Sequence, residues 1–184
     1  MKNLKQGFQR LCAAFAVISL SACASVTTTT VSPITEAQAP LTVFLVRHAE
    51  KMPGPDPVLT PDGAMRADAL ADMLIDAKIE RIHSSDYKRT RLTAAPLAAR
   101  LGVAVDLYDP RDLPGIAAQL KTDGGRHLVV GHSNTTGELT ALLGGDGGTA
   151  IVEATEYDRL YVVTMGMDGG ASSTLLRFGA TSPR

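Results

Sequence analysis

Two histidines in this sequence end apolar runs in the same way. Val43-Phe44-Leu45-Val46 breaks into Arg47-His48-Ala49-Glu50-Lys51, and Leu128-Val129-Val130 breaks into Gly131-His132-Ser133-Asn134. A neutral imidazole nitrogen is a good nucleophile near neutral pH, and against phosphorus it forms a phosphohistidine that water can then hydrolyse. Charge is spread over several phosphoryl oxygens in such a transition state, so the site needs several cations. Arginine suits this best, with its planar fork of donors. The leaving oxygen also needs a proton donor. The sequence supplies Arg47 beside His48, a second imidazole at His132 with Ser133 and Asn134 for hydrogen bonding, and Arg89 in the first turn of a predicted helix. Backbone N–H groups and the helix dipole favour an anion at that place. His83 and His127 lack this context and read as structural, and Arg91 reads as a surface charge. Glu50 and Lys51 could buttress Arg47 or line the mouth of a site, and Arg111 could reach a substrate.

These residues need elements to position them. A short, β-branched apolar run flanked by polar residues reads as a buried strand of a parallel sheet. Ligands of such sheets lie outside the carboxyl ends of the strands. Met52–Pro57 (MPGPDP), with three prolines and a glycine, is a loop placed to rim that crevice. Thr60-Pro61-Asp62 opens a helix expected to run to about Lys78. Ile79–Ser84 is a second strand. Ser85-Asp86 is expected to cap a helix over Tyr87–Leu101, ended by Gly102. Val103–Leu107 is a third strand, followed by a turn and a short helix over Leu113–Leu120. Leu128–Val130 is the fourth strand and Thr136–Leu143 a helix. Two late strands, Arg159–Met165 and Ser173–Phe178, complete the sheet as a hairpin-like, antiparallel edge. Strands alternating with helices give an α/β fold, a three-layer α/β/α sandwich on a mainly parallel sheet.

Three segments, in this order, resemble the histidine phosphatase superfamily with its phosphoglycerate mutase-like fold. RHAEK at 47–51 is similar to the family's Arg-His-Gly/Ala-Glu signature. SDYKRTRLTA at 85–94 is similar to its Ser-x-x-x-Arg-x-x-x-Thr-Ala segment, and VVGHSNT at 129–135 to its second-histidine segment. LTPDG at 59–63 resembles a helix opening between them, and the likeness covers essentially residues 41–178. The resemblance implies that His48 is the nucleophile, that Arg47 and Arg89 (rather than Arg91) bind phosphate, and that His132 stabilises the transferring group. It implies no metal and no organic cofactor. In larger members the acid is a Glu or Asp between the helix arginine and the second histidine. Here that segment is short, and Asp109 and Asp112 are equal candidates; small members can lack the acid altogether.

What the resemblance implies is a histidine acid-type phosphatase that hydrolyses a small phosphate monoester through a phosphohistidine on His48. A phosphoglycerate mutase-type phosphotransferase is an alternative, but that branch normally has a longer insert here and works in the cytoplasm. A non-catalytic envelope protein that binds a phosphorylated ligand is another; the retained histidines and arginines favour the enzyme. Substrate selectivity is expected in the MPGPDP loop and in the short insert after the third strand.

The first residues read as an address. Lys2, Lys5 and Arg10 precede a mostly apolar stretch, Leu11–Leu20, of signal-peptide length and too short to span a bilayer as a helix. It ends in Leu20-Ser21-Ala22-Cys23, which resembles the bacterial lipobox, with Cys23 as the lipid-bearing first mature residue. Residues 1–22 are therefore read as a lipoprotein signal peptide, 23–40 as a flexible tether rich in Thr, Ser, Ala and Pro, and 41–184 as the phosphatase domain. The expected place is the bacterial cell envelope, exported and lipid-anchored in a membrane. Whole-chain charge is −1; without residues 1–22, which hold three of the Lys and Arg and no Asp or Glu, it is −4. That balance argues against a nucleic-acid partner. Cys12 leaves with the signal and a lipidated Cys23 is blocked, so no thiol or disulfide remains to the mature chain. An aliphatic core, with no Trp, must hold the domain together.

Overall fold

The computed structural model describes residues 40–182. The signal segment, Cys23 and nearly all of the tether lie outside the described residues. β1 (Leu41–Arg47) is the strand on which the domain is hung. It pairs in parallel with β4 (Gly125–Gly131) on one side and antiparallel with β5 (Arg159–Met165) on the other. Being covered on both edges and both faces, it needs an unbroken apolar run rather than an alternating one. β2 (Arg81–Ser85) lies beyond β4, β3 (Val105–Tyr108) beyond β2, and β6 (Ala171–Arg177) beyond β5, giving the order β3-β2-β4-β1-β5-β6. Three of the pairings are parallel, and the late hairpin supplies the antiparallel part.

Alternation along β1 sorts the core into two layers. Phe44 and Val46 face α1 (Pro61–Leu74) and α2 (Lys88–Leu101), where Leu70, Leu74, Ala94 and Leu97 meet Ile82, Leu128 and Val130. Val43 and Leu45 face α3 (Leu113–Asp123) and α4 (Thr136–Leu142), through Leu113, Ile116, Leu120 and Leu139. Each fully buried aliphatic side chain contributes about 1.5–3 kcal/mol before entropy is counted. The result is the expected α/β/α sandwich. His83 and His127, read as structural, are buried between β2 and β4, with His83 Nε2 2.9 Å from His127 Nδ1.

Element boundaries differ from the sequence expectations where distant groups intervene. Thr60 caps α1 as expected, accepting from Gly63 N at 3.0 Å. The helix stops at Leu74, because Ala77 N turns back to Leu74 O and Lys78 takes a positive φ of 54°. α2 starts at Lys88, and neither Ser85 nor Asp86 caps it. Ser85 belongs to β2, and Asp86 pairs with Arg91 at 2.6 Å. The cap comes instead from the MPGPDP loop, where Asp56 Oδ1 accepts from Lys88 N at 2.9 Å. α3 runs on to Asp123 before Gly124 ends it.

Candidate active site

Three parallel strands end side by side, β1 in Arg47, β4 in Gly131 and β2 in Ser85. The chain leaving β1 is tied down at once. His48 N donates to Gly131 O at 2.9 Å, and Ala49 N donates to Thr93 Oγ1 on α2 at 2.9 Å. His48 is 3% exposed. Its Nδ1 lies 2.8 Å from Ala49 O. A carbonyl oxygen only accepts, so the proton sits on Nδ1 and the lone pair on Nε2 is left for chemistry. Burial is the largest cause holding the His48 ring down to about 3, and the charges of Arg47, Arg89 and His132 add to it against the bond to Ala49. A nitrogen must be unprotonated to act as a nucleophile, and His48 Nε2 meets that condition.

His132 faces His48, with ring centroids 5.6 Å apart and planes at 68°. Its own hydrogen bonds form a chain with one polarity. Arg89 Nη2 can only donate and lies 3.4 Å from His132 Nδ1, so that nitrogen accepts and Nε2 carries the proton. Nε2 donates to Ser85 Oγ at 2.9 Å, Ser85 Oγ donates to Thr90 Oγ1 at 3.2 Å, and Thr90 Oγ1 donates to Ser85 O at 2.7 Å. Burial, then Arg89 and Arg47, lower the His132 ring to about 4. Gly131 permits this approach: a Cβ there would meet Thr135 Oγ1 at 2.8 Å and Tyr108 Oη at 2.9 Å. Thr135 Oγ1 is the group that accepts from His132 N.

The two arginines play unlike parts. Arg47 is 1% exposed and turns its terminal nitrogens away, donating to Glu156 O at 2.8 Å, Glu153 O at 2.6 Å and Val152 O at 3.4 Å. Its Cζ stacks 4.0 Å from the Tyr157 ring. Only Nε remains unspent. Arg89 rises from the first turn of α2 over the Tyr87 ring, with Cζ at 4.3 Å, and its buried Nε also lacks a partner among the described residues. Unpaired, buried guanidinium N–H groups beside two neutral imidazoles call for an acceptor that carries negative charge.

The cleft onto which His48, Arg89 and His132 open measures about 340 Å³ and is walled also by Lys51, Asn134 and Glu153, among others, while Arg47 lies behind its wall. A larger cleft of about 430 Å³ lies along α1 by Met65 and Arg66, but its wall holds no imidazole. The carboxylates expected nearby are engaged elsewhere. Asp112 is the N-cap of α3, accepting from Gly115 N at 2.9 Å. Asp109 is held in a two-point pair by the exposed Arg111, at 2.9 Å for both contacts. Neither lines the cleft of the histidines, although Pro110 and Arg111 between them do. Glu50 forks onto Arg66, not Arg47. Ser85 and Glu153 are the site residues that the sequence reading passed over. Ser85 ends a parallel strand, which was a usable signal; Glu153 sits in an irregular stretch with none. Among the described residues no three His, Cys, Asp or Glu side chains gather as metal ligands would.

Comparison with known proteins gives a consistent picture. A family model described as histidine phosphatase superfamily (branch 1) matches residues 43–110. No curated protein matches the sequence. Among solved structures, the protein histidine phosphatase SixA complexed with tungstate superposes with a TM-score of 0.60 at 21% identity, over 74% of this chain and 97% of that one. A mycobacterial glucosyl-3-phosphoglycerate phosphatase gives 0.58 at 15% identity, over 77% and 100%. A SixA chain from Agrobacterium tumefaciens gives 0.54 at 21%, over 77% and 99%.

Proposed function

We propose that the chain, whose residues 43–110 match the model of the histidine phosphatase superfamily (branch 1), is a member of that superfamily and hydrolyses a phosphate monoester through a phosphohistidine on His48. The observation that carries this reading is the fixed tautomer of His48, with Nδ1–H spent on Ala49 O and Nε2 left as a base. Nε2 attacks phosphorus while Arg89, Arg47 Nε and His132 take up charge on the phosphoryl oxygens. As the dianion arrives, it favours protonation of His132, whose Nδ1 can then donate to an oxygen instead of accepting from Arg89. Water afterwards breaks the P–N bond. Tungstate is a tetrahedral oxyanion like phosphate, so its presence in one structural relative is in keeping with such a cradle.

The test is phosphate release from a panel of monoesters, with rapid quench into alkali, where a phosphoimidazole survives. We expect label on His48 in the wild type, and neither label nor turnover in His48→Ala. Undiminished release by His48→Ala would refute the mechanism. We also propose that the domain is exported and held at the cell envelope by lipid on Cys23, on the strength of the Leu20–Cys23 lipobox. Cys23→Ala should leave the membrane fraction or fail to mature; a variant processed and fractionating like the wild type would remove the anchor.

A further inference from the structure

A phosphate ester of an aliphatic alcohol needs a proton at its leaving oxygen; neither arginine nor the neutral His48 can supply one there, and a protonated His132 is committed through Nε2 to Ser85 and through Nδ1 to the phosphoryl oxygens. The carboxylates of the turn after β3 do not serve, since Asp112 caps α3 and Asp109 is bound to Arg111. One carboxylate does belong to the wall that holds His48 and His132, and it is Glu153. It lies in the connection between α4 and β5, after the second histidine.

Its position is fixed by its backbone. Glu153 O accepts from Arg47 Nη2 at 2.6 Å, so the residue before the nucleophile sets where residue 153 sits. The turn around it is closed on itself by Glu156 N to Val152 O at 2.8 Å and by Val152 N to the Glu156 carboxylate at 3.1 Å. Glu156 is locked in turn by Arg159 at 2.7 Å. The Glu153 side chain, by contrast, is exposed and close enough for its charge to be felt by Arg47. A rigid base carrying a solvent-reachable carboxyl is what a group needs if it is to take and return a proton.

We propose that Glu153 is the general acid and base of the reaction, a proposal that rests on the phosphatase reading above. In the first step His48 Nε2 bonds to phosphorus, the P–O bond to the alcohol breaks, and the Glu153 carboxyl proton passes to the departing oxygen. In the second step a water oxygen bonds to phosphorus, its proton passes to the Glu153 carboxylate, and the P–N bond breaks to restore neutral His48 and release phosphate. Protons and charge balance over the cycle, and the carboxyl ends as it began.

The test uses the purified full chain and two substrates, a primary alkyl phosphate and p-nitrophenyl phosphate, whose phenolate leaves without a proton. Glu153→Gln should lower kcat/KM on the alkyl ester by about 10²- to 10⁴-fold, and on the aryl ester by no more than about threefold. On the aryl ester the phosphoenzyme should accumulate, because water attack has lost its base. Glu153→Asp should recover part of the alkyl activity. Equal losses on both esters, unchanged alkyl turnover in Glu153→Gln, or an alkyl-selective loss in Asp112→Asn would overturn the assignment while leaving the phosphatase standing. A wild type that forms no phosphoenzyme from either ester would take both readings down together. Unfolding midpoints of wild type and variant should coincide, so misfolding would be seen directly.

Discussion

Arg89 and Arg91 stand two positions apart on one helix and meet different surroundings. Arg89 points across the strand ends to His132, with a buried, unpaired Nε. Arg91 pairs with Asp86 at the surface, an interaction worth little in water. Arg89→Ala should lower kcat/KM by about 10²- to 10³-fold, as loss of one strong oxyanion donor does, and Arg91→Ala by less than about threefold. Steady-state kinetics on a single ester decides it; a larger loss at Arg91 would put the phosphate on another side of the helix. At this scale, with the fold bringing the candidates His48, Arg89 and His132 to one cleft, the sequence was legible for groups carried in short motifs. It was illegible where chemistry is arranged through the backbone. Arg47 holds Glu153 by a carbonyl oxygen, and every residue has one, so nothing in the residue types marks position 153.

Elements show the same division. Each strand on the sequence's list exists, because period and composition within a stretch decide whether it can be buried. Thr60 caps its own helix, a purely local matter. The start of α2 was misread because the cap is not local. Asp56 reaches it from a proline-rich loop more than thirty positions upstream, and also lies 4.0 Å from Arg89, so the loop and the start of α2 are joined at one carboxylate. The end of α1 was misread for a similar reason: Ala77 is apolar at helical spacing, yet it packs on the first core layer from a turn beyond the helix. The place of β5 was out of reach too. A strand's neighbours depend on what else must be covered, and β5 covers the open edge of β1 as well as pairing with β6.

On the scale of the whole molecule, buried neutral histidines make stability depend on acidity. In the His83–His127 pair, Gly124 O can only accept from His127 Nε2, so His127 Nδ1 accepts from His83 Nε2. Burial above all, then the charge of His127, lowers His83 to about 4. The folded ring therefore resists a proton that the unfolded chain binds near 6.5, so the unfolded state holds more protons between those values. This stability is fully present above pH 6.5 and drains away as pH falls toward about 4, on the order of 3 kcal/mol for His83 alone. His48 and His132 act in the same direction. The urea midpoint, followed from pH 7.5 to 4.5, should fall steadily below 6.5; a flat profile would mean that these rings take up protons as readily in the fold as out of it. Arg47 has a different consequence, one of timing. It lies one residue before His48, but the carbonyls that complete its shell come more than a hundred positions later, at Val152, Glu153 and Glu156. During synthesis that interval lasts on the order of 10 s. A growing chain thus presents His48 early but cannot complete the shell of Arg47 beside it until residues 152–156 have been made.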